Sequence, residues 1–476
     1  MIMHGGSLPP QCTAATEHFD AFRQGYYRCL TRRADTLFEL TDALLCARGK
    51  VTDLAHLSLE PGHHRGYGAL YDAINHGQIN HTALKEHIGA VPVPTMPGPD
   101  GRERVVLAVD VSNWLRPDAA CSPGRAFCHA YARGSGQAQM VPGWPYSFVA
   151  ALEPGATSWT ALLDVVRLRP GDDATEVTAI QLRGVVERLI ATGHQVASDP
   201  EVLVVMDAGY DVARLAWLLR DLPVILVARL RSDRVFYAPG GARRGPTRGR
   251  APRHGDKLVL RDPATHPVPV CATEHVLDRY GTVEAAAFGR MHPKPGSRGG
   301  FKDHQGPLPL IEGTVINLKV EYLPGNRNPK PLWLWASKPV PDDGQEMDHW
   351  WSMYLRRFDL EHTFRFLKQN LGWARPHLRE PAAADRWTWI VMAAHTLLRL
   401  ARPLAVECRL PWQPPTPATC LSPARVRATY RRTCQNTVHP AKPPIASTAG
   451  PGRPKGSINR TKPVIQPVGL AHYKVK

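Results

Sequence analysis

The 476-residue chain has no run of about 18 apolar residues, so no segment is expected to span a bilayer as a helix. Its opening, MIMHGGSLPPQC, lacks the charged and apolar regions of a signal peptide. Cysteines are few. Nine occur, an odd number without a Cys-x-x-Cys pair, which argues against a disulfide framework and for a reducing compartment. Cys121, Cys128 and His129 lie close together but have no second ligand pair at zinc-site spacing, so they read as core or strand residues. Acid is missing altogether from residues 409–476, which hold twelve Lys or Arg and twelve Pro. Such a segment cannot bury enough apolar surface to offset its ordering entropy, and most of it is expected to be disordered or extended.

What is present is positive charge. The formal net charge is +17 and the pI is near 9.7, while the hydrophobic fraction of 43% is that of a globular protein. A field of this sign favours a polyanionic partner, nucleic acid or an anionic membrane surface.

Residues 1–98 read as a helical DNA-binding domain. Phe19, Phe22, Leu30, Leu37, Leu44 and Leu45 recur at near-helical spacing, and TDLAHLS and GYGALYDAINHG read as short helices around the turn LEPGHHRG. Two short helices on a turn, with His63, His64 and Arg65 beside it, fit either a helix-turn-helix DNA reader or a plain bundle. A Pro- and Gly-rich linker, VPVPTMPGPDG, follows. From 99 to 229 apolar strands alternate with helices, the pattern of an α/β sheet covered on both faces. Residues 230–340 interrupt it as a β-rich basic insertion; the stretch 229–257 carries nine Arg or Lys against two Asp. Residues 341–408 return to helix and 409–476 form the basic, proline-rich tail. Within the tail GPGRPKG resembles a minor-groove hook, which makes Arg453 a DNA-contact candidate.

Two aspartates close apolar runs: Asp110 in RVVLAVDVS and Asp207 in EVLVVMDAGYD. An ionised carboxylate there costs several kcal/mol in desolvation unless cations or hydrogen bonds compensate. Two on one sheet suggest a common divalent metal. Asp211, just before VARLAWLLR, reads instead as a helix cap. The stretch YLRRFDLEHTFRFLK, taken as one helix, places Tyr354, Arg357, Glu361 and Lys368 within roughly 60° of one another. Leu360, Phe364, Leu367 and Leu371 form the adjoining seat, and Asp359 faces away. Glu361 is then an acid displayed between two cations and a phenol, the third carboxylate of an oxygen cage for two Mg²⁺ ions. Arg357 and Lys368 suit flanking phosphates, and Tyr354 suits a base or a phosphate.

Tyr354-x2-Arg357-x3-Glu361-x6-Lys368, with the two upstream aspartates, resembles the Tyr–Arg–Glu–Lys signature of bacterial insertion-sequence DDE transposases. The wide interval from Asp207 to Glu361 resembles the subset with a β-rich insertion before the last acid. The resemblance implies a ribonuclease-H-like catalytic core with Asp110, Asp207 and Glu361 as catalytic metal ligands for two Mg²⁺, with Mn²⁺ as a substitute. It implies DNA contacts from Tyr354, Arg357 and Lys368, and a base-stacking tryptophan among Trp333 and Trp335 of PLWLWAS. It further implies a homodimer on paired terminal inverted repeats, target DNA as second partner, no membrane, and a cytoplasmic, nucleoid-associated bacterial location. The activity implied is cut-and-paste transposition; a nuclease or resolvase without strand transfer, and a catalytically silent DNA-binding protein, are the alternatives.

Overall fold

The computed structural model describes residues 10–131, 138–155, 157–241, 252–295, 301, 304–323, 329–341, 344–406, 409, 412, 414–417, 420–435, 437–445, 456 and 462–469. Five helices open the chain: α1 (Pro10–Cys29), α2 (Ala34–Cys46), α3 (Leu54–Leu57), α4 (Tyr67–His76) and α5 (His81–Gly89). The ribbon β1 (Leu30–Arg32) with β2 (Gln78–Ile79) ties them together, and β3 (Met96–Pro97) with β4 (Glu103–Arg104) forms a small hairpin after them. Phe19, Phe22, Leu37, Leu44 and Leu45 are buried, as their spacing requires. The turn 59–66 is a packed corner. α3 is a single turn, His63 is buried 3.5 Å from the Glu39 carboxylate, and Arg65 reaches Glu39 and the Lys442 carbonyl. His63 and Arg65 are thus held against Glu39, while His64 is exposed.

The central sheet begins with β5 (Val106–Leu115), β6 (Ala126–Tyr131), β7 (Ala138–Leu152) and β8 (Thr160–Arg167), all joined by antiparallel pairing to the long β7. The crossover helix α6 (Ala174–Ala191) leads to β9 (Val202–Met206), and α7 (Val212–Leu218) leads to β10 (Val224–Leu230). β9 lies parallel to β5 and β10 parallel to β9, so five strands run β8-β7-β5-β9-β10. β9 is buried along its whole length, which explains its continuous apolar run. This mixed sheet, an antiparallel meander continued by two parallel strands, is consistent with a ribonuclease-H-like nuclease fold.

The inserted segment adds β11 (Val235–Pro239), β12 (His254–Val259), β13 (Cys271–Leu277), β14 (Gly281–Pro293), β15 (Gly313–Val320) and β16 (Leu332–Ala336). β16 pairs antiparallel with β10, so the insertion extends the central sheet rather than forming a separate one. Helices α8 (Gln345–Arg356), α9 (Phe358–Gln369) and α10 (Pro381–Ala401) follow. α10 is buried along most of its length between β8 and the N-terminal helices, joining core and N-terminal region through one apolar interior.

The expectation of a largely disordered or extended tail needs correction over part of its length. α11 (Pro423–Cys434) lies in the segment read as disordered and packs on α2 and α10. Val426 and Tyr430, four residues apart on one helix face, are fully buried, and the Arg427 guanidinium donates to the carbonyls of Leu44 and Gly49. A composition averaged over 68 residues hides a twelve-residue amphipathic helix.

Candidate active site

The parallel register pairs Val109 of β5 with Met206, the last residue of β9. The next residue on each strand is an aspartate. Asp110 and Asp207 therefore lie side by side at the carboxyl end of the parallel pair, where open α/β sheets form their crevices. Asp110 does not close its strand: β5 continues to Leu115, held by β7, and Asp110 sits opposite Phe148. Beyond Asp110 the strand is no longer uniformly buried: Val111 and Asn113 are half-buried, while Ser112 and Trp114 remain in the interior. Asp211 accepts from the Arg214 N–H and caps α7, as its position predicts.

The stretch 354–368 is not one helix. Tyr354 belongs to the last turn of α8, Arg357 stands at the junction, and Glu361 and Lys368 belong to α9. Hydrogen bonds three residues apart, from Arg357 N to the Tyr354 carbonyl and from Leu360 N to the Arg357 carbonyl, tighten the chain at this point. The face survives the break. The Tyr354 hydroxyl lies 3.5 Å from an Asp207 oxygen, and the Arg357 guanidinium donates to Asp110 at 2.6 Å and lies 3.8 Å from Asp207. Leu360, Phe364, Leu367 and Leu371 are buried as the seat, while Asp359 pairs with Arg356.

The electrostatics follow from this crowding. Burial pushes the Asp110 carboxyl up to about 7; Arg357 opposes the shift, and the charges of Glu361 and Asp207 add to it. Burial works against the Arg357 charge, but Asp110 and Asp207 outweigh it and hold the guanidinium firmly protonated. Burial also lowers Lys368, against the pull of Glu361 and then Asp110, and Lys368 lies 5.6 Å from the centre of the Trp373 ring. Burial, then the Asp207 charge, pushes Tyr354 up to about 12.

Carboxylate oxygens from Asp110, Asp207 and Glu361 make a hard donor set suited to a hard divalent cation. Among the described residues, however, no three His, Cys, Asp or Glu side chains stand together at ligating positions. The positive charge between Asp110 and Asp207 is the Arg357 guanidinium. The two aspartates thus fit a cation by chemistry and position, and Glu361 is near enough to repel Asp110.

All three acids and Lys368 line one cleft, of volume ≈ 1960 Å³, larger than the 300–1,000 Å³ typical of small-molecule pockets. Its cations include Arg229, Arg231, Arg234, Arg261, Lys319 and Lys330, most of them from the insertion. Two residues that the sequence did not single out belong to the site. Arg229 lies 3.8 Å from Asp207. Tyr210 lines the cleft, and burial, then the Asp110 charge, holds its phenol well above the usual value. Arg229 was visible only as one of many basic residues in its segment, and Tyr210 only as part of DAGYD.

The tryptophans are packed rather than presented. Trp335 is 0% exposed with its N–H donating to the Met291 carbonyl, and Trp333 is 4% exposed against His266 and Phe288. Both rings are held in the strand that joins insertion to core, and both still line the cleft that holds the three acids. Arg453 lies outside the described residues. No described helix is long and apolar enough to cross a membrane.

A family model described as DDE superfamily endonuclease matches residues 25–293, more than half of the chain and including Asp110 and Asp207. No curated protein matches the chain.

Proposed function

The chain belongs to the DDE superfamily of endonucleases, and from that premise we propose that it is a cut-and-paste DNA transposase whose catalytic acids are Asp110, Asp207 and Glu361. The observation that carries this reading is the placement of two aspartates one step beyond the Val109–Met206 pair, with the 354–368 segment laid against them. Divalent cations held by the three carboxylates would supply Lewis acidity toward a phosphodiester and a hydroxide at neutral pH. Arg357 and Lys368 hold phosphates flanking the scissile bond, Arg357 by its planar fork and Lys368 as a point charge. Tyr354, whose hydroxyl lies 3.5 Å from Asp207, stacks on a base or hydrogen-bonds a phosphate at the cleaved end. The cations of the insertion lead the duplex into the cleft, and two copies acting on paired ends would join them to target DNA. Trp333 remains the stacking candidate of this reading, provided that DNA entry turns its ring outward.

The test is Mg²⁺-dependent cleavage of a labelled duplex carrying the element's terminal repeat. Glu361→Gln should lose cleavage by at least about 10³-fold while keeping its melting temperature within a few degrees. Undiminished cleavage would remove α9 from the catalytic machinery. A second assay with pre-nicked ends separates a transposase, which joins them to target DNA, from a nuclease, which does not.

A further inference from the structure

The strongest feature outside the cleft lies where the C-terminal segment meets the N-terminal helices. Residues 423–435 and 437–445 lie as a strap across α2. Arg427 is bonded to the Leu44 and Gly49 carbonyls, and Tyr430 accepts from the Arg23 guanidinium. The strap continues with His439 edge-on to Phe38 and Lys442 N donating to Asp35. At the middle of this contact stand two thiols, Cys46 at the end of α2 and Cys434 at the end of α11, their sulfurs 3.9 Å apart. They are 388 residues apart in sequence.

We propose that Cys46 and Cys434 are a thiol–disulfide modification site, in which a peroxide oxidant links them and covalently fastens the strap to α2. A disulfide needs its sulfurs at about 2.05 Å, so each sulfur has to move by about 1 Å, within reach of side-chain rotation. The two ends are held independently by Arg427 on one side and His439 and Lys442 on the other, so the thiols meet without a search.

The chemistry divides between them. Cys434 is the more exposed, Cys46 being buried. The Cys46 S–H can donate to the Cys434 sulfur, which favours the Cys434 thiolate over the usual cysteine, and the Arg23 cation acts in the same direction. The Cys434 thiolate attacks the peroxide O–O bond, forming an S–O bond and releasing one oxygen as water after protonation. The Cys46 sulfur then attacks the resulting sulfenic acid, displacing its oxygen as a second water. In sum, two thiols and one hydrogen peroxide give one disulfide and two waters. Dithiothreitol reverses it by exchange.

The experiment uses the full chain. The purified protein is treated with hydrogen peroxide, free thiols are alkylated, and non-reduced peptides are identified by mass spectrometry. The expected result is one dominant linked pair joining the Cys46 and Cys434 peptides. It should be accompanied by a rise of a few degrees in Tm that dithiothreitol abolishes. The link should vanish in both Cys46→Ser and Cys434→Ser, with neither variant gaining the Tm rise. Both thiols recovered as separate alkylated or over-oxidised peptides would overturn the proposal. So would a dominant link from either residue to a different cysteine or a second copy. The wild-type peptide map alone decides the matter should either variant fail to fold.

Discussion

At the scale of single residues, the site is organised by the Arg357 guanidinium, which reaches two carboxylates that repel each other. Removing it leaves a partly buried aspartate pair without compensation, so Arg357→Ala should destabilise the metal-free protein by about 2 kcal/mol in a denaturant melt. Arg357→Lys should recover less than half of that, because a point charge cannot serve two acceptors in a plane. The raised Asp110 carboxyl makes a second prediction. Its folded value near 7 lies above the ordinary 3.8, so the folded state holds this proton more tightly. The contribution is fully present below the ordinary value and is lost as pH rises through about 7. Relative to Asp110→Asn, the metal-free wild type should therefore lose melting temperature as pH increases across that window and run parallel to it on either side. A constant difference between the two curves from acid to neutral pH would contradict the burial of Asp110.

At the scale of elements, the strands were legible because their burial is written as unbroken apolar runs, as in β9 and β10. The acids were legible because a carboxylate at the end of such a run has no packing use. The junction at Arg357 was not. Every residue from Tyr354 to Lys368 is a tolerable helix former, and the residue at the break, Arg357, is the one bonded to Asp110 across the fold, a contact no local pattern reveals. Likewise the burial of Trp333 and Trp335 depends on the pairing of β16 with β10, a contact between segments about a hundred residues apart that is invisible in the local pattern. α11 was hidden by its acid-free, proline-rich surroundings. Its packing predicts that Tyr430→Ala, at a fully buried ring, costs about 3 kcal/mol in stability, whereas deleting a disordered tail would cost nothing.

At the scale of the whole molecule, one sheet runs from the core into the insertion, and one cleft collects acids from the first and cations from the second. Duplex affinity should accordingly fall steeply with salt, and neutralising Arg231 and Arg234 together should flatten the slope of log affinity against log salt by up to about 2. The acids themselves come from segments that only the complete fold brings together, and on that convergence the catalytic proposal stands. It is tested most directly by Mn²⁺ titration followed by electron paramagnetic resonance on the full chain and on Asp110→Asn, Asp207→Asn and Glu361→Gln. Saturable binding to the wild type is expected, weakened at least tenfold by each single substitution while the far-ultraviolet circular dichroism is unchanged. Equal Mn²⁺ affinity in all four folded proteins would show that the three carboxylates share no ion.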